Sequence, residues 1–589
     1  MRGIAISLKW NRSKAGLKAQ QRILIEFTAY CLFTFRNRFL SFTKCSIMRK
    51  HFCVLFRKKP VVPSFGTLFL CFLWNFFQTI PRFGGSLLKE KEWGIIFKEE
   101  KRNGVWNAWK YLFFFLFFCS SAQAQDSIYY RIGSSAVIST GETAPFWLHS
   151  NSFGLYSTAS CASVSSVEIR RDFGQSRKET LNWIDYGFGL SGVARADDKG
   201  DDVFLHEYYA KVRMFNFLDL IVGARKEYLG CQDSILSSGS LLFSTNARPI
   251  PKITAGIEQY SAIPFTRGYI QVKGAVVHGW MNDERYVENT LLHHKYVYVK
   301  LGGKLPVNLH YGFNHAVQWG GTIPVFGKQP TGFKDFMHIF MGKNGTDKNN
   351  IHEYNNSLGN HILSQSLQFD VKTKNSKISV YWQNINEDPP RKFVWNTMNT
   401  PDGLWGISLR NNNFPYISGL LYEYLNTTDQ SGPYHDKDGI IYGGNDCYFS
   451  NGIYQSGWAY FARTIGTPFI TPPVKNTNGT YSAYNNRTKV HHFGTNGNIF
   501  GYRYKFLTSL SKSYGTYSTP FPKTMKCTSM LLEVNKIFPQ WWNLELTCSL
   551  AADFGKIPVV NMNTIQSGGN TFGVCLSVRK SGILFKNMN

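Results

Sequence analysis

Long apolar runs are scarce in this chain of 589 residues. A helix that crosses a membrane needs about 20 consecutive apolar residues, and the apolar run at residues 111–118 is too short for one. The sequence therefore argues against a membrane protein built from helices.

Acidic residues are also scarce, with 38 Asp and Glu against 65 Lys and Arg, which gives a formal net charge of +27. A basic chain suggests nucleic acid as a partner, but this one has no zinc-ligand spacing, no helix-turn-helix pattern and no RNA-binding signature. Residues 1–124 hold 21 of the basic and 5 of the acidic residues, so the remaining chain carries +11. We predict no nucleic-acid partner, and a mildly cationic surface suited to acidic polysaccharide.

Closely spaced metal ligands are lacking as well. Six of the eleven cysteines follow residue 124, and their spacing shows neither a metal motif nor a compact disulfide framework. A bridge between Cys161 and Cys231 is one of several pairings left open. The doublets His293-His294 and His491-His492 fall in strand-like segments, where neighbouring side chains point to opposite faces. We predict no metal site and no cofactor.

A secretion signal is present, but it stands far from the first residue. Lys110 precedes the apolar run, and Ala122-Gln123-Ala124 has the small residues of a signal-peptide cleavage site. We predict a signal peptide at residues 101–124 and a mature chain that begins at Gln125. Residues 1–100 are then expected to be a spurious or unstructured extension, with a genuine helix at residues 65–80 as the alternative.

The remaining sequence alternates polar with apolar residues in segments of about ten. In the stretch Val307-Asn308-Leu309-His310-Tyr311-Gly312-Phe313-Asn314, every second residue is apolar. A strand projects successive side chains to opposite faces, so one face suits lipid and the other suits water. Short turns alternate with long connections at about residues 322–362, 386–402, 426–456, 466–495 and 555–569, which is the asymmetry of outer-membrane barrels.

We therefore predict an all-β fold, a transmembrane antiparallel β-barrel of about 16–18 strands, over residues 181–580. Residues 125–180 are expected to form a small periplasmic or plug-like segment, and residues 581–589 a C-terminal tail. Aromatic residues at strand ends suit membrane-interface girdles; these are Trp382, Trp405, Trp541 and Trp542. A soluble β-protein is the alternative, although loops of about 30 residues are uncommon in such folds.

Five segments are notable for their order along the chain. They are Ala144-Pro145-Phe146-Trp147-Leu148-His149-Ser150-Asn151, Leu236-Ser237-Ser238-Gly239-Ser240-Leu241, Asn246-Ala247-Arg248-Pro249-Ile250-Pro251, Leu291-Leu292-His293-His294-Lys295 and His315-Ala316-Val317-Gln318-Trp319-Gly320-Gly321. These segments resemble the capsule-assembly Wzi family, in the versions carried by Bacteroides-type bacteria. The resemblance covers about residues 126–580 and implies a barrel of about 18 strands in the bacterial outer membrane that acts as a surface lectin for capsular polysaccharide. The N-terminal extension and the tail after the last strand depart from the family pattern.

The candidate binding residues combine an aromatic face, amide and imidazole groups, and guanidinium groups. Trp319 offers a face for a sugar ring, while His315 and Gln318 can hydrogen-bond to hydroxyls. Arg225 and Arg248 can pair with the carboxylate of an acidic sugar, unless Glu207, Asp219 and Glu227 neutralise the cations. Trp405, with Tyr454 and Trp458, is a further aromatic platform.

We predict a non-enzymatic outer-membrane barrel whose partners are capsular or other surface polysaccharide and outer-membrane lipid. The sequence leaves its oligomeric state open. The alternatives are a general porin or solute-uptake channel, and less favourably an outer-membrane phospholipase, for which no serine nucleophile is tied to a histidine.

Overall fold

A computed structural model describes residues 127–173, 184–343, 358–387, 401–433, 444–561, 564–567 and 569–586. The predicted signal peptide and N-terminal extension lie outside the described residues and remain predictions. Among the described residues, no helix is both long and apolar enough to cross a bilayer.

The described residues form one closed sheet of eighteen antiparallel strands, each paired with the next along the chain. The last strand pairs with the first, from Ser127 opposite Lys586 to Ser139 opposite Gly573. The strands are β1 (Ser127–Thr143), β2 (Ala159–Arg171), β3 (Ile184–Asp197), β4 (Gly200–Met214), β5 (Leu218–Ala224), β6 (Lys252–Ala262), β7 (Ile270–Trp280), β8 (Leu291–Leu301), β9 (Val307–Trp319), β10 (Asn360–Lys372), β11 (Ser376–Gln383), β12 (Gly403–Asn411), β13 (Gly419–Asn426), β14 (Thr488–Ile499), β15 (Tyr502–Gly515), β16 (Pro520–Phe538), β17 (Leu544–Gly555) and β18 (Thr571–Lys586). The prediction of an all-β transmembrane barrel of 16–18 strands is confirmed.

Smaller elements lie in the connections. The helices are α1 (Phe146–His149) and α2 (Phe333–Met341), with 3-10 turns at Pro415–Ile417 and Pro539–Trp541. Four two-stranded ribbons pair Thr322–Ile323 with Gly327–Lys328, Ala459–Tyr460 with Arg463–Thr464, Val474–Lys475 with Tyr481–Ser482, and Pro558–Asn561 with Thr564–Ser567.

The two ends of the barrel differ. One end holds the start of β1 and the end of β18, and it carries tight connections such as 215–217, 373–375 and 500–501. We call it the tight-turn end. The opposite end carries the long connections 225–251, 320–359, 384–402 and 427–487. In outer-membrane barrels the short turns face the periplasm and the long loops face outside, so we call this second end the outer end.

Side chains alternate between the two faces of the wall. Outward positions hold exposed apolar residues, for example Ile407, Leu420, Leu510 and Leu550. Many inward positions are polar, among them Ser408 and Glu423. The outward band matches the lipid-facing surface of a transmembrane barrel.

The lumen is filled towards the outer end by parts of three connections, 144–158, 225–251 and 427–487. Their apolar side chains pack with inward-facing strand residues in one buried cluster, including Trp147, Leu236, Leu241, Phe449 and Trp458. The protein therefore has an ordinary apolar core inside a membrane barrel.

The barrel begins earlier and ends later than the sequence predicted. Residues 127–143 and 159–171 are wall strands, so the prediction of a plug-like segment over 125–180 is wrong for them; residues 144–158 do turn inward. Likewise β18 continues to Lys586, so residues 581–586 are not a tail. The predicted connections 426–456 and 466–495 are one connection, 427–487, followed directly by β14.

Candidate functional site

The connection 225–251 is anchored to the inner wall by three buried polar side chains. The Glu423 carboxylate accepts hydrogen bonds from the Ser237 hydroxyl at 2.6 Å and the Ser238 backbone N–H at 2.7 Å. Gln383 accepts one from the Leu241 N–H at 2.9 Å. Asp233 is held by Arg410 and by the Ser408 hydroxyl. Because backbone groups of this connection hydrogen-bond to side chains of the wall, the connection is a fixed part of the fold. We call residues 225–251 the plug.

The connection 427–487 closes the barrel above that plug. The Trp458 indole N–H donates to the Leu242 carbonyl at 2.8 Å, and its ring meets Phe243 edge to face at 5.4 Å. The Ser244 hydroxyl donates to the Gly466 carbonyl at 2.6 Å. These contacts join the two connections into one cap, which we define as residues 225–251 and 444–487.

A polar cavity of about 750 Å³ remains beneath the cap, between residues 144–158 and the tight-turn end. Its lining includes Arg503, Lys505, Glu533, Glu545 and Arg579. Two of the cations are paired, Arg503 with Glu545 and Lys505 with Glu533. Among the described residues, this cavity is separated from the outer end by the apolar cluster that fills the lumen there.

The predicted binding residues His315, Gln318 and Trp319 lie together but are 2 %, 0 % and 2 % exposed. Gln318 points inward, and its amide donates to the Gly457 carbonyl of the cap at 3.0 Å. His315 and Trp319 point outward and are covered by α2, with the Trp319 ring 6.1 Å from Phe336. They have no surface for a sugar, so the prediction that they bind polysaccharide does not fit this structure.

Arg225 and Arg248 occupy different places. Arg225 is paired with Glu258 and Glu227 inside the barrel, so neutralisation by carboxylates, the alternative considered for the sequence, accounts for it. Arg248 lies near the outer end, where its guanidinium donates to Asp202 at 2.6 Å. The same guanidinium is stacked over the rings of Phe204 at 3.5 Å and Phe461 at 4.5 Å.

Trp405 points outward, into the membrane-facing surface. It lies opposite Trp382 on one side and Tyr424 on the other, and Tyr424 lies opposite His491. The Trp405 and Tyr424 rings stack at 5.8 Å. This row is an aromatic girdle of the kind that anchors barrels at the membrane interface, so Trp405 is not a sugar platform. Tyr454 and Trp458 are buried in the cap and are not platforms either.

The histidine doublets diverge, as the alternation predicts. His293 meets Phe336 of α2 outside the wall at 5.3 Å, while His294 meets Phe243 of the cap inside it at 4.4 Å. Among the described residues, no three His, Cys, Asp or Glu side chains come together as a metal site. The cysteines Cys161, Cys231, Cys447, Cys527, Cys548 and Cys575 are free, so the suggested Cys161–Cys231 bridge is not formed.

A cationic and aromatic surface at the outer end was not predicted as a unit. We define this rim patch as Arg195, Lys199, Phe204, Arg248, Phe461 and Arg463. The β3–β4 hairpin supplies the first three, and the cap supplies the others. The turn between the paired residues Tyr460 and Arg463 has positive φ at Phe461 and Ala462, which leaves the Phe461 ring 41 % exposed.

Two of the rim-patch arginines are paired with carboxylates, and a third has no such partner among the described residues. Arg195 pairs with Asp197 at 3.6 Å and Asp202 at 3.2 Å, and Arg248 shares Asp202. Arg463 instead donates to His149 Nδ1 at 2.9 Å and to the Tyr156 carbonyl at 2.9 Å. Within the described part of the chain, no carboxylate pairs with Arg463.

This uncompensated charge shifts the pKa values around it. Burial, with Arg195 and Arg248 nearby, lowers the pKa of Arg463 to about 10. Burial, then the charges of Arg463 and Lys199, holds the pKa of His149 well below its usual value. His149 is therefore neutral at pH 7 and available as an acceptor. An anion at the rim patch would relieve the repulsion among these cations.

Only part of this surface has a signal in the sequence. Arg248 was singled out as a cation for acidic sugars, but Phe461 and Arg463 lie in a stretch without a recognised motif, more than two hundred residues later. Only closure of the barrel and folding of the cap bring them together. Nothing local in the sequence indicates that contact.

Comparison with known proteins identifies the family. A family model described as capsule assembly protein Wzi matches residues 146–471. Among solved structures, the chain is similar to Wzi of Escherichia coli at 14 % identity and a TM-score of 0.49, and the match covers 76 % of this chain and 83 % of that chain. That protein is described as an outer membrane protein involved in group 1 capsule assembly and as a carbohydrate-binding β-barrel. OprD of Pseudomonas aeruginosa is similar at 9 % identity and a TM-score of 0.40, and the match covers 78 % of this chain and 96 % of that chain. No curated protein matches. Because the family model spans more than half of the sequence, the chain belongs to the capsule assembly protein Wzi family.

Proposed function

We propose that this outer-membrane barrel binds capsular or related surface polysaccharide at its outer end and helps to attach or assemble the capsule. Family membership supports the link to the capsule. The rim patch supports a preference for polymers that carry acidic sugars. The proposal includes no catalytic step, and polysaccharide is the partner.

The observation that carries the proposal is the rim patch as a whole, where Arg463 has no carboxylate partner among the described residues and the exposed ring of Phe461 lies against the Arg248 guanidinium. A sugar carboxylate can accept two parallel hydrogen bonds from a guanidinium, and the apolar face of a sugar ring can pack on an aromatic ring. Arg248, clamped between Phe204 and Phe461, holds that ring in position.

Individual contacts of this kind are weak, and a capsule is a repeating polymer. Several barrels that each bind one repeat of the same chain would give attachment by avidity, because each further contact is intramolecular. Attachment in this form needs no tight single site and tolerates variation along the polymer.

The alternative of a general porin is less favoured, because the cap and residues 144–158 occupy the lumen. The phospholipase alternative gains no support from the doublet His293-His294, since His293 packs against α2 and His294 against the cap. Binding at the outer surface uses the features that the geometry offers.

The test is binding of an oligogalacturonate, as an acidic probe, and of neutral dextran by the refolded protein in detergent. We expect Arg463→Gln and Phe461→Ala each to weaken binding of the acidic probe about tenfold, equivalent to about 1.4 kcal/mol, with little change for dextran. Added salt should weaken acidic binding in the unaltered protein, because a partly exposed ion pair is screened.

Matched controls are Arg487→Gln, elsewhere on the outer loops, and Phe500→Ala, an exposed phenylalanine in a tight turn at the opposite end. Equal losses in the controls and the rim-patch variants would refute the site. Normal amounts of cell-bound capsule in a deletion strain would refute the function as a whole.

A further inference from the structure

Helix α2 lies outside the barrel, against strands β8 to β10. Outward residues of β9 alternate along Val307, Leu309, Tyr311 and Phe313, which fixes His315, Val317 and Trp319 on the same outer face. Phe336, Ile339 and Leu358 pack with Val317 and Trp319 in a separate buried cluster. A connection from the outer end has therefore folded down over the outside of the wall.

The wall beneath α2 is unusually polar for a lipid-facing surface. His293 and Lys295 on β8, His315 on β9 and His361 on β10 all point outward there. Strand β8 has eleven residues, about the length that crosses a bilayer when tilted. These side chains would thus lie at bilayer depth, where uncovered polar and charged groups are strongly disfavoured.

The helix and Leu358, in the same connection, supply partners for this polar strip. The Lys295 ammonium donates to the Phe340 carbonyl and lies 4.0 Å from the Phe340 ring centre. His315 and His361 hydrogen-bond to each other at 2.8 Å, and His361 Nε2 lies 2.9 Å from the Leu358 carbonyl. Lipid is thereby kept away from the polar strip, and the outer surface of this sector is the helix itself.

The helix has three sides, because successive residues are rotated by about 100°. Phe336, Ile339 and Phe340 face the wall. Lys334, Asp335 and His338 form a polar side. Between these two sides is a third, apolar one, formed by Phe333, Met337 and Met341, which are 81 %, 40 % and 51 % exposed.

The exposed apolar side is continuous with the lipid-facing band of the barrel. Below the helix, a groove of about 380 Å³ is bordered by Val276, Lys295, Val297 and Phe313, of which Val276 and Val297 belong to the exposed apolar surface. The helix ends are fixed, since Asp335 caps the start and Gly342 closes the end with φ +65°.

We propose that α2 is a membrane-embedded anchor, whose Phe333, Met337 and Met341 side contacts the acyl chains of outer-leaflet lipid while the Lys334 side faces the head groups. The occupant is lipid and not protein, because the apolar side extends a surface that already faces hydrocarbon. This proposal does not depend on polysaccharide binding.

The test places a photoreactive benzophenone side chain at Phe333, Met337 or Met341 in the full-length protein in intact outer membranes. We expect irradiation to give covalent lipid adducts at these three positions, detected as a mass increase of one lipid. The matched control at Lys334, on the polar side, should lose most of that adduct, and a control at Ala462 in the cap should give none.

Adducts to a second copy of the chain at the three apolar positions would overturn the proposal in favour of a protein interface. Equal lipid adducts at Lys334 and Met337 would also overturn it, because the helix would then have no lipid-facing side. A second variant, Met337→Asp, should reduce thermal stability in lipid vesicles but much less in detergent, where a charged group reaches water more easily.

Discussion

At the scale of single residues, the outer end depends on a histidine that must stay neutral. His149 is buried on α1 and accepts a hydrogen bond from Arg463 through Nδ1. A proton on that nitrogen would remove the acceptor and add a cation beside Arg463 and Lys199. The same residue therefore fixes Arg463 and limits the pH range in which the rim patch is intact.

The pH dependence follows from the lowered pKa of His149. Below about pH 6.5 the unfolded chain binds a proton at this histidine, but the folded chain does not. The free energy of unfolding should therefore decrease as the pH is lowered, by up to about 1.4 kcal/mol per pH unit. His149→Gln keeps an acceptor and should reduce the loss between pH 7.5 and 5.0, measured by guanidinium unfolding in detergent.

The control for this comparison is His491→Gln, which removes a histidine from the outer wall and leaves the cap untouched. Identical pH slopes for the unaltered protein and His149→Gln would show that His149 does not contribute.

At the scale of elements, the plug is held by a carboxylate that projects from the wall. Glu423 on β13 is buried and accepts hydrogen bonds from Ser237, Ser238 and Tyr381. Several donors meeting one carboxylate form a strong attachment, since hydrogen bonds to a charged acceptor are roughly twice as strong as neutral ones. The connection 225–251 should accordingly detach from the wall as a unit if the Glu423 carboxylate is lost.

Substitution Glu423→Gln turns one acceptor oxygen into a donor that faces other donors. We expect the free energy of unfolding to fall by about 2–4 kcal/mol and residues 225–251 to become sensitive to protease while the barrel stays folded. Ser408→Ala removes one hydrogen bond to Asp233, which keeps Arg410, and should cost only about 1 kcal/mol. Equal protease sensitivity in both variants would contradict this assignment.

Strand β9 was predicted correctly because its polar residues face inward and its apolar residues face outward. Strand β2 was missed because its pattern is reversed: Ala162 and Val164 face inward and are buried, whereas Ser163 and Ser165 face outward. Helix α2 was missed because its nine residues stand inside a long connection. Burial of Trp319 follows from that helix and is not visible in the local sequence.

At the scale of the whole molecule, the described part of the lumen is divided into two regions. A polar cavity of about 750 Å³ lies towards the tight-turn end, and the outer end is filled by the apolar core of the cap. Lumen and outer surface are therefore separate environments, and a ligand on the outer loops need not enter the barrel.

Planar-bilayer recordings of the unaltered protein should show no stepwise conductance above the leak of the bilayer, because the apolar core of the cap fills the lumen towards the outer end. A general porin reconstituted in the same bilayer serves as the positive control. Stable open steps from the unaltered protein would favour the transport alternative and would require the cap to move.

An 18-strand wall encloses enough space for an aqueous pore, yet here that space is occupied by the chain itself. A cell could therefore raise the copy number of this protein without opening its envelope to ions or antibiotics. The density of tethering points at the surface would then be limited by available membrane area, and the permeability barrier would be unaffected.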